Sequence, residues 1–581
     1  MPTLAFALQH YGVLALLVAA FWGLGATALA ALRVRLADRW LWQAMAVAVG
    51  LGLYLVGLQF LGVAGHLRRP PVLALTAFGG ALALWQALRG RRQPAATPAA
   101  APWSTPERLG LVLVLVSLAP TLVAPLQPPL RWDEIMYHLP HAGQWALSGR
   151  LDIHDWLRFP WFPYNYDLLY SAALLLQDDL LAHLLHALAG WLVALITFRL
   201  GLALGSRLLA CAATMGWAYL SATQYATAYI DLGLALFVVG AAVACWHWWQ
   251  EPDRSGWLLV SAFLLGVAAG SKYQALSYLP LFLAALALRE RQPRVWLQAA
   301  LVFLLPCLYW YARNAWYTGD PVDPLGGRWL GFYDWNAWDH QAQLQDVARV
   351  AGWPSPALWP ALVALGMPSL WRQAGWRPVL VFALYAGLIW LGTSGYTRYL
   401  LPAYPALALL STQAVLRGAR WLGQRLPAAL RKPQLGVLAL AALLPLAGAE
   451  AWQRGAKAVE RVAVNATERD ALLHQLLPGY AAAQALHAYP GRRIYQFALE
   501  NLAYYLPQPT WGEVFGPWRN HDRVHLPAAA LAHRLRAEGF DTVLMRADVA
   551  ARFRQDADFA RHFRLLIDTP AAQAYDILPH D

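Results

Sequence analysis

Two adjacent carboxylates, Asp133 and Glu134, follow an apolar run at 108–125 and open a long polar segment. Carboxylates just beyond the end of a membrane helix are costly unless they have partners or a role. Partial desolvation raises the pKa of a carboxyl group, which can then take a proton from a hydroxyl. Equally, negative charge here would cap the N-terminus of the following helix. The pair therefore predicts either a general base or a helix cap.

A third carboxylate, Asp231, stands where an apolar run at 230–249 begins. A carboxylate at the end of a membrane span is a functional candidate by default. Its position also suits the N-cap of the helix that follows, since an Asp side chain accepts from free backbone N–H groups there. The two interpretations are compatible, so Asp231 is a second candidate for acid–base chemistry.

Three cations stand at predicted outer ends of spans: Lys272, Arg313 and Arg398. Positive residues concentrate on the cytoplasmic side of membrane proteins, so cations on the other side call for an anionic partner. A phosphate group is a natural partner at that depth. For Lys272 the alternative is a side chain that extends to the lipid headgroups. Together the three cations predict a site for a lipid phosphate.

Histidines near Asp133 raise the question of a metal site. No tight ligand motif joins them, and imidazoles three residues apart are more often the polar face of a helix. No metal ligand is therefore predicted; a divalent metal stays open as a cofactor but is not indicated. The residues that would join Asp133 in such a site are His138, His141, His154, Asp152 and Asp155.

The composition is that of a membrane protein. Of 581 residues, 59% are hydrophobic and only 13% are charged, against ~25% charged in soluble domains. A span needs about 20 apolar residues. We predict a mainly α, polytopic membrane protein with about 13–14 transmembrane helices, from apolar runs at 11–31, 41–62, 72–88, 108–125, 180–200, 208–227, 230–249, 257–270, 274–288, 295–312, 357–371, 378–394, 399–416 and 435–449.

Arginine-rich segments set the orientation. Those at 33–39, 89–92, 199–207, 289–294 and 417–432 fall on one side under a simple alternation of the runs. The N-terminus, the loops 126–179 and 313–356, and the tail then lie outside; Arg68-Arg69 argues weakly against this. No cleavable signal is evident, so the first run is predicted to be a retained span. The candidate site is predicted to face the periplasm from a bacterial inner membrane.

The chain divides into four predicted parts. Residues 1–92 form a three-helix membrane unit, the Pro/Ala-rich residues 93–106 a cytoplasmic linker, and 107–449 the main membrane domain. The charged tail 450–581 carries strand-like runs at 493–498, 541–545 and 563–567 and a helical run at 527–538. A small extracytoplasmic α/β domain is predicted there, acting as a lid or docking surface.

From about residue 108 to the C-terminus, the chain resembles the GT-C superfamily of polyprenyl-phosphate-dependent membrane glycosyltransferases, including family 39-type enzymes, protein O-mannosyltransferases and lipid A aminoarabinose transferases. The resemblance rests on Asp133-Glu134 opening the first large outer loop and on three motifs. Two features depart from it: three extra N-terminal spans, and histidines that match no family metal site. The motifs are Gly270-Ser-Lys-Tyr-Gln-Ala275, Arg313-Asn-Ala-Trp-Tyr-Thr-Gly-Asp-Pro-Val-Asp-Pro324 and Arg398-Tyr-Leu-Leu-Pro-Ala-Tyr-Pro405.

The resemblance implies transfer of a sugar from a polyprenyl phosphate to an acceptor lipid, glycan or protein on the outer face, with inversion. By analogy Asp133 is the base, Glu134 orients it or binds the acceptor, and Asp231 is a weaker second carboxylate. A phosphate leaving group needs positive charge rather than a proton. The implied phosphate ligands are Lys272, Arg313 and Arg398, and the substrate-binding candidates are Tyr137, His138, Tyr273, Asn314, Tyr396 and Tyr399.

Other functions stay open. A transporter would carry charges near mid-span and show related halves, which the sequence lacks. A polysaccharide polymerase or ligase with a lipid diphosphate donor would use arginines in a large outer loop, such as Arg313 and Arg328. A non-catalytic assembly subunit is a third alternative. The expected partners are the lipid-linked donor, membrane lipids and the acceptor, with no nucleic acid. The aromatic loop 313–340 would either cover the sugar or anchor at the interface.

Overall fold

The computed structural model describes residues 2–90, 102–251, 255–425 and 433–579. Every apolar run predicted as a span forms helical structure. The helices that precede the C-terminal domain are α1 (Pro2–Ala31), α2 (Arg39–Val63), α3 (Arg69–Gly90), α4 (Thr105–Leu118), α5 (Leu139–Ser148), α6 (Asn165–Leu176), α7 (Asp179–Leu204), α8 (Arg207–Leu220), α9 (Asp231–Gln250), α10 (Ser255–Ala269), α11 (Leu279–Arg289), α12 (Pro293–Thr318), α13 (Gly327–Leu330), α14 (Ala337–Arg349), α15 (Pro360–Leu365), α16 (Pro368–Trp371), α17 (Arg377–Thr393), α18 (Tyr404–Arg425) and α19 (Pro433–Val459).

The described ranges contain 8 helices long and apolar enough to cross a membrane, and the chain is an integral membrane protein. Other apolar runs form shorter or broken helices. The run 208–227 leaves the α-helix after Leu220 for a 3₁₀ turn, and the run 274–288 combines a 3₁₀ turn with the 11-residue α11. The candidate spans are Thr3–Ala31, Arg39–Val63, Arg69–Arg89, Thr105–Leu126, Asp179–Leu204, Asp231–Gln250, Pro293–Thr318 and Thr397–Arg425.

Close backbone contacts hold the first helices together. A Cβ added at Gly50 of α2 would lie 1.6 Å from the carbonyl oxygen of Phe21 in α1, and one at Gly25 would lie 1.8 Å from that of Ala46. Without a driving force from water, membrane helices associate through small residues that let their backbones approach. Helix α2 in turn packs against α6 and α7, so the N-terminal helices are part of the bundle.

Polar pairs mark the two ends of the bundle. At one end Asp38 accepts from Arg199, 2.7 Å from Nε to Oδ2. At the other end His10 pairs with Asp178 at 2.9 Å, and Leu67 N–H donates to the carbonyl of Gly149. Segments that the arginine pattern assigns to one side thus lie at one end, as the alternation of spans requires.

The C-terminal domain is a mixed five-stranded sheet with helices. Its strand order is β2-β1-β3-β5-β4, with β1 parallel to β2 and β3, and β5 antiparallel to β3 and β4. The three predicted strands and the predicted helix are confirmed. The elements are α20 (Ala466–Leu476), α21 (Tyr480–Ala485), β1 (Ile494–Phe497), β2 (Thr510–Trp511), α22 (Ala528–Ala537), β3 (Thr542–Arg546), α23 (Ala547–Phe553), α24 (Phe559–His562), β4 (Phe563–Asp568) and β5 (Ala572–Ile577).

This domain rests on the loop that follows α4. Tyr504 N–H donates to the carbonyl of Ile135 at 2.9 Å, and the Tyr505 hydroxyl donates to the carbonyl of Pro129 at 2.6 Å. The indole of Trp518 donates to Asp155 at 2.9 Å. The domain therefore covers the end of the bundle where Asp133 lies. The predicted linker at 93–106 lies outside the described residues as far as residue 101.

Candidate active site

Four charged side chains from distant parts of the chain form one network. Lys272 Nζ lies 2.8 Å from Asp231 Oδ1, and Arg398 Nε lies 3.6 Å from Asp231 Oδ2. Arg398 Nη1 also lies 2.8 Å from Asp133 Oδ2. We call these four residues the ion network. Because Asp231 starts α9, Lys272 follows α10 and Arg398 precedes α18, helix ends position three of its members.

The ion network is largely withdrawn from solvent. The exposed fraction of the side chain is 19% for Asp133, 17% for Arg398, 16% for Lys272 and 3% for Asp231. Attraction between charges grows as water is excluded, whereas an unpaired charge at this depth is costly. The two acids and the two cations therefore compensate each other's charge.

Tyrosine rings surround the two cations. The Arg398 guanidinium lies 5.0 Å from the ring centroid of Tyr229 and 5.1 Å from that of Tyr396, and Lys272 Nζ lies 4.7 Å from that of Tyr399. A cation over an aromatic face is attracted by the ring quadrupole. Tyr396 and Tyr399 are among the predicted substrate-binding residues, whereas Tyr229 is not, although it is close to Asp231 in the chain.

Glu134 is fully buried and faces away from the cations. Its Oε1 accepts from the N–H groups of Leu130 and Arg131 at 2.7 and 2.6 Å. Its Oε2 accepts from His183 Nε2 at 2.9 Å and from Ala228 N–H at 2.6 Å. Four donors occupy both oxygens, so the carboxylate holds the backbone on either side of Asp133. Its two suggested roles, to orient the base or to bind the acceptor, stay predictions.

The neighbours of Glu134 are also held by buried contacts. His138 Nδ1 donates to Asp167 Oδ1 at 2.6 Å, and both side chains are buried. Tyr137 packs against the rings of His138 and Phe159. Burial, together with the charge of Asp133, raises the pKa of Tyr137 well above its usual value. Tyr137 thus stays a neutral hydroxyl close to the ion network.

The third predicted phosphate ligand, Arg313, lies in a different set of contacts. Its guanidinium donates to the carbonyl of Pro160 at 3.1 Å and to Asn314 Oδ1 at 2.9 and 3.1 Å. Asn314 donates to the Trp161 carbonyl and to the Tyr273 hydroxyl. Within the described parts of the chain Arg313 forms no ion pair. The structure therefore joins two of the three cations and uses Arg313, Asn314 and Tyr273 to hold the 160–162 loop.

The aromatic side chains of loop 313–356 divide into two groups. Trp316 and Trp329 are 85% and 82% exposed, whereas Trp335 is buried against Phe515 of the C-terminal domain, with ring centroids 4.9 Å apart. Exposed Trp at the end of a span is typical of interfacial anchoring. The geometry favours anchoring over cover of a sugar for the first group.

Across residues 2–90, 102–251, 255–425 and 433–579, no three His, Cys, Asp or Glu side chains are arranged to hold a metal ion. Of the histidines considered near Asp133, His141 and His154 have ring centroids 6.3 Å apart. His141 Nε2 donates to the carbonyl of Arg158 at 3.0 Å. Burial lowers the pKa of both imidazoles, so they are neutral rings that pack the loop.

Arg158, which the sequence analysis missed, ties the loop to the C-terminal domain. Its Nε lies 2.6 Å from Glu513 Oε2, and its Nη2 lies 4.0 Å from Glu500 Oε1. Burial lowers the pKa of Arg158, but the carboxylates of Glu513 and Glu500 outweigh it and raise that pKa. Burial also raises the pKa of Glu513. No local motif marks this residue, because its partners are distant in the chain.

Fold and site together define an integral membrane protein with a buried acid–cation network under a C-terminal α/β domain. Among solved structures, it is similar to ArnT from Cupriavidus metallidurans bound to undecaprenyl phosphate, at 16% identity and a TM-score of 0.49 over 80% of this chain and 97% of that one. It is also similar to an Archaeoglobus fulgidus oligosaccharyltransferase tethered with an acceptor peptide. The identity is 12% and the TM-score is 0.46, over 81% of this chain and 74% of that one. Likeness at these scores does not by itself assign a function.

Sequence comparison places the chain in a family. The family model described as SF2091/S2213 matches residues 468–576. The uncharacterized protein SF2092/S2214 of Shigella flexneri is 31% identical over 132 residues, which are 21% of this chain and 72% of that protein. The uncharacterized protein SF2093/S2215 of Shigella flexneri is 39% identical over 84 residues, 14% and 42% of the two lengths. The chain belongs to the family of SF2092/S2214.

Proposed function

We propose that this protein transfers a sugar from a polyprenyl-phosphate-linked donor to an acceptor hydroxyl at the outer face of the membrane. The observation that carries the proposal is the ion network, in which Asp133 and Asp231 meet Lys272 and Arg398 at one end of the bundle. Three of these residues, Asp133, Lys272 and Arg398, stand in the motifs that resemble those of GT-C glycosyltransferases. Their convergence is what that reaction requires.

Lys272 and Arg398 are suited to the leaving group. A phosphate is a weak base, so its departure from the sugar needs positive charge rather than a proton donor. In the resting site the two carboxylates neutralise the two cations. A donor phosphate would compete for the guanidinium of Arg398, which binds phosphate and carboxylate by the same bidentate geometry. Binding of the donor would then release Asp133 from its ion pair.

Asp133 is the better general base of the two acids. Its side chain is 19% exposed, whereas that of Asp231 is 3% exposed and is held by Lys272. Asp133 takes the proton of the acceptor hydroxyl as that oxygen bonds to the anomeric carbon. The bond from this carbon to the phosphate oxygen breaks on the opposite face, so the configuration inverts. Asp231 keeps Lys272 and Arg398 in place.

A lipid-linked donor also suits the location of the site. Nucleotide sugars stay in the cytoplasm, so transfer on the outer face needs a carrier in the bilayer. The arginine-bearing segments 33–39 and 199–207, joined through Asp38 and Arg199, lie at the end of the bundle opposite Asp133, which supports an outward-facing site under the positive-inside rule. Broken helices such as the turn at 273–278 are allowed where protein lines a cavity, and they leave room for lateral entry of a lipid.

The test uses the full chain reconstituted in vesicles with radiolabelled undecaprenyl-phosphate-linked sugars, tried one at a time with envelope glycolipids as acceptors. We expect Asp133→Asn to lower transfer by roughly 100-fold or more, the usual contribution of a general base. Asp548→Asn is the matched control, since this carboxylate is exposed and pairs with Arg546 on the surface. Full transfer by Asp133→Asn would reject the proposal, and transfer only from diphosphate donors would favour a polymerase or ligase.

A further inference from the structure

Asp133 is followed by an unusually wide helical turn. Residues Glu134–His138 form a π-helical turn, which Leu139 closes by donating its N–H to the carbonyl of Glu134. Such turns are rare and recur at functional sites, because the wider ring is less favourable than the α-helix and the surroundings must hold it. What holds this turn also fixes the direction of the Asp133 side chain.

One set of contacts comes from the membrane helices. The carboxylate of Glu134 accepts from His183 on α7 and from the N–H of Ala228 just before α9. These bonds join residue 134 to α7 and to the segment just before α9, the helix that begins with Asp231 of the ion network. They fix one side of the turn and leave the other side to different partners.

The next residue, Ile135, makes its contacts with the C-terminal domain. Its side chain is 1% exposed and is part of the apolar core that contains Leu473, Leu477 and Leu502. Its carbonyl accepts from the N–H of Tyr504 at 2.9 Å. An aliphatic side chain in a core is fixed by close packing on every side, so the domain holds residue 135 in both side chain and backbone.

We infer that the C-terminal domain positions Asp133 through Ile135, which makes the domain a working part of the site rather than a separate lid. The inference rests on the proposed function for its effect on catalysis. Asp133 is two residues before Ile135 on the same turn, and its carboxylate meets Arg398 at 2.8 Å. If residue 135 is released, the turn can relax and the carboxylate moves away from the point where the base must act.

The domain is itself anchored beside this turn. Asp179, the first residue of α7, accepts from Arg469 Nη1 at 2.9 Å and from the hydroxyl of Tyr504 at 3.0 Å. The Tyr505 hydroxyl holds the carbonyl of Pro129 at 2.6 Å. The segment that contacts Ile135 is therefore fixed to the bundle at two points, so the contacts of Ile135 are with a segment that is itself held in place. Ile135 is a positioning residue in this account.

The first test follows hydrogen exchange in the full chain in detergent. Ile135→Ala is expected to speed the exchange of amides in 131–139 by at least tenfold relative to the wild type. The control is Ile567→Ala, which removes an equal volume from the same apolar core at a position on β4. Little change at 131–139 in the control supports the inference. Unchanged exchange in Ile135→Ala, or an equal rise in both variants, overturns it.

The second test separates positioning from general stability. A displacement of a reacting group by about 1 Å can cost about 100-fold in rate. With a donor that the wild type uses, Ile135→Ala is expected to lower kcat while KM for the donor stays constant, and Ile135→Val should recover most of kcat. Wild-type kcat in Ile135→Ala would overturn the inference. If Asp133→Asn were fully active, the proposed function would fail while hydrogen exchange still decided this point.

Discussion

Arg398 Nη1 lies 2.8 Å from Asp133 Oδ2, and the same guanidinium approaches Asp231 through Nε at 3.6 Å. One planar group thus bridges two carboxylates that come from different loops. The guanidinium presents donors along several edges, which a lysine ammonium cannot reproduce at the same spacing. The bridge is the point where the chemistry of the site can be tested most directly.

Arg398→Lys is expected to keep the charge but lose the bridge. A hydrogen bond to a charged group contributes ~1.5–3 kcal/mol, so kcat/KM for transfer should fall by about 10- to 100-fold. Arg398→Gln should fall further because the cation itself is gone. Steady-state kinetics with the undecaprenyl-linked donor measure both. Equal activity of the lysine variant and the wild type would contradict the bridging role.

Asp231 and Lys272 form an ion pair, so we expect the effects of replacing each of them on the stability of the fold to be strongly coupled. Removal of one partner of a buried ion pair leaves an unpaired charge and destabilises by ~3–5 kcal/mol. We expect Asp231→Asn to lower the unfolding temperature, and Lys272→Met added to it to recover part of the loss. Thermal unfolding of the wild type, Asp231→Asn, Lys272→Met and the double variant in one detergent gives the coupling free energy between the two side chains. Additive losses would show that the two side chains do not interact.

Docking of the C-terminal domain should depend on Arg469, which pairs with the buried carboxylate of Asp179. Arg469→Met is expected to destabilise the protein by ~3 kcal/mol or more, because Asp179 is left without its cation. Arg561→Met is the matched control, since Arg561 pairs with Asp558 on the surface, where such pairs contribute ~1 kcal/mol or less. Comparable losses in the two variants would refute the docking role of Arg469.

A pH-dependent contribution to stability is expected from Asp323. Burial, together with the charges of Asp320 and Asp334, raises the pKa of Asp323 to about 7. Because the folded pKa lies above the unfolded value of about 4, the stabilising contribution is complete below about pH 4 and is lost progressively as pH rises to about 7. Asp323→Asn cannot ionise, so its stability relative to the wild type should be higher at pH 8 than at pH 5.

Unfolding temperatures at the two pH values test this expectation. Asp548→Asn is the control, because its hydrogen bond to Arg546 lowers the pKa of Asp548 to about 2 and the carboxylate is ionised at both pH values. Its difference from the wild type should therefore be the same at pH 5 and pH 8. A pH-independent difference for Asp323→Asn would rule out the titration of Asp323 in this range.

Local patterns in the sequence were enough to predict much of the fold. Apolar length located the helices, and short strand-like runs in the charged tail located β1, β3 and β4. The strands β2 and β5 were missed: β2 has two residues, and β5 (Ala572–Ile577) includes Gln573 and Asp576 and so does not read as an apolar run. Charges at helix ends identified the ion network because such charges are rare in a membrane protein.

The remaining features depend on contacts that the sequence does not encode locally. Glu134 and Asp133 have the same chemistry and adjacent positions, yet one faces four donors and the other faces Arg398. Arg313 resembles Arg398 in position but donates to carbonyl groups of another loop. Arg158 and Ile135 gain their roles from partners in the C-terminal domain. Only tertiary packing distinguishes these cases.

The opposite orientations of Glu134 and Ile135 restrict how this protein can be recombined with its relatives. Glu134 makes its hydrogen bonds with the helix bundle, whereas Ile135 packs in the apolar core around Leu502. A chimera that imports a relative's segment in place of residues 468–576 would have to import the matching residues from 129–135 as well. Evolution would face the same constraint, so these two stretches should be inherited together.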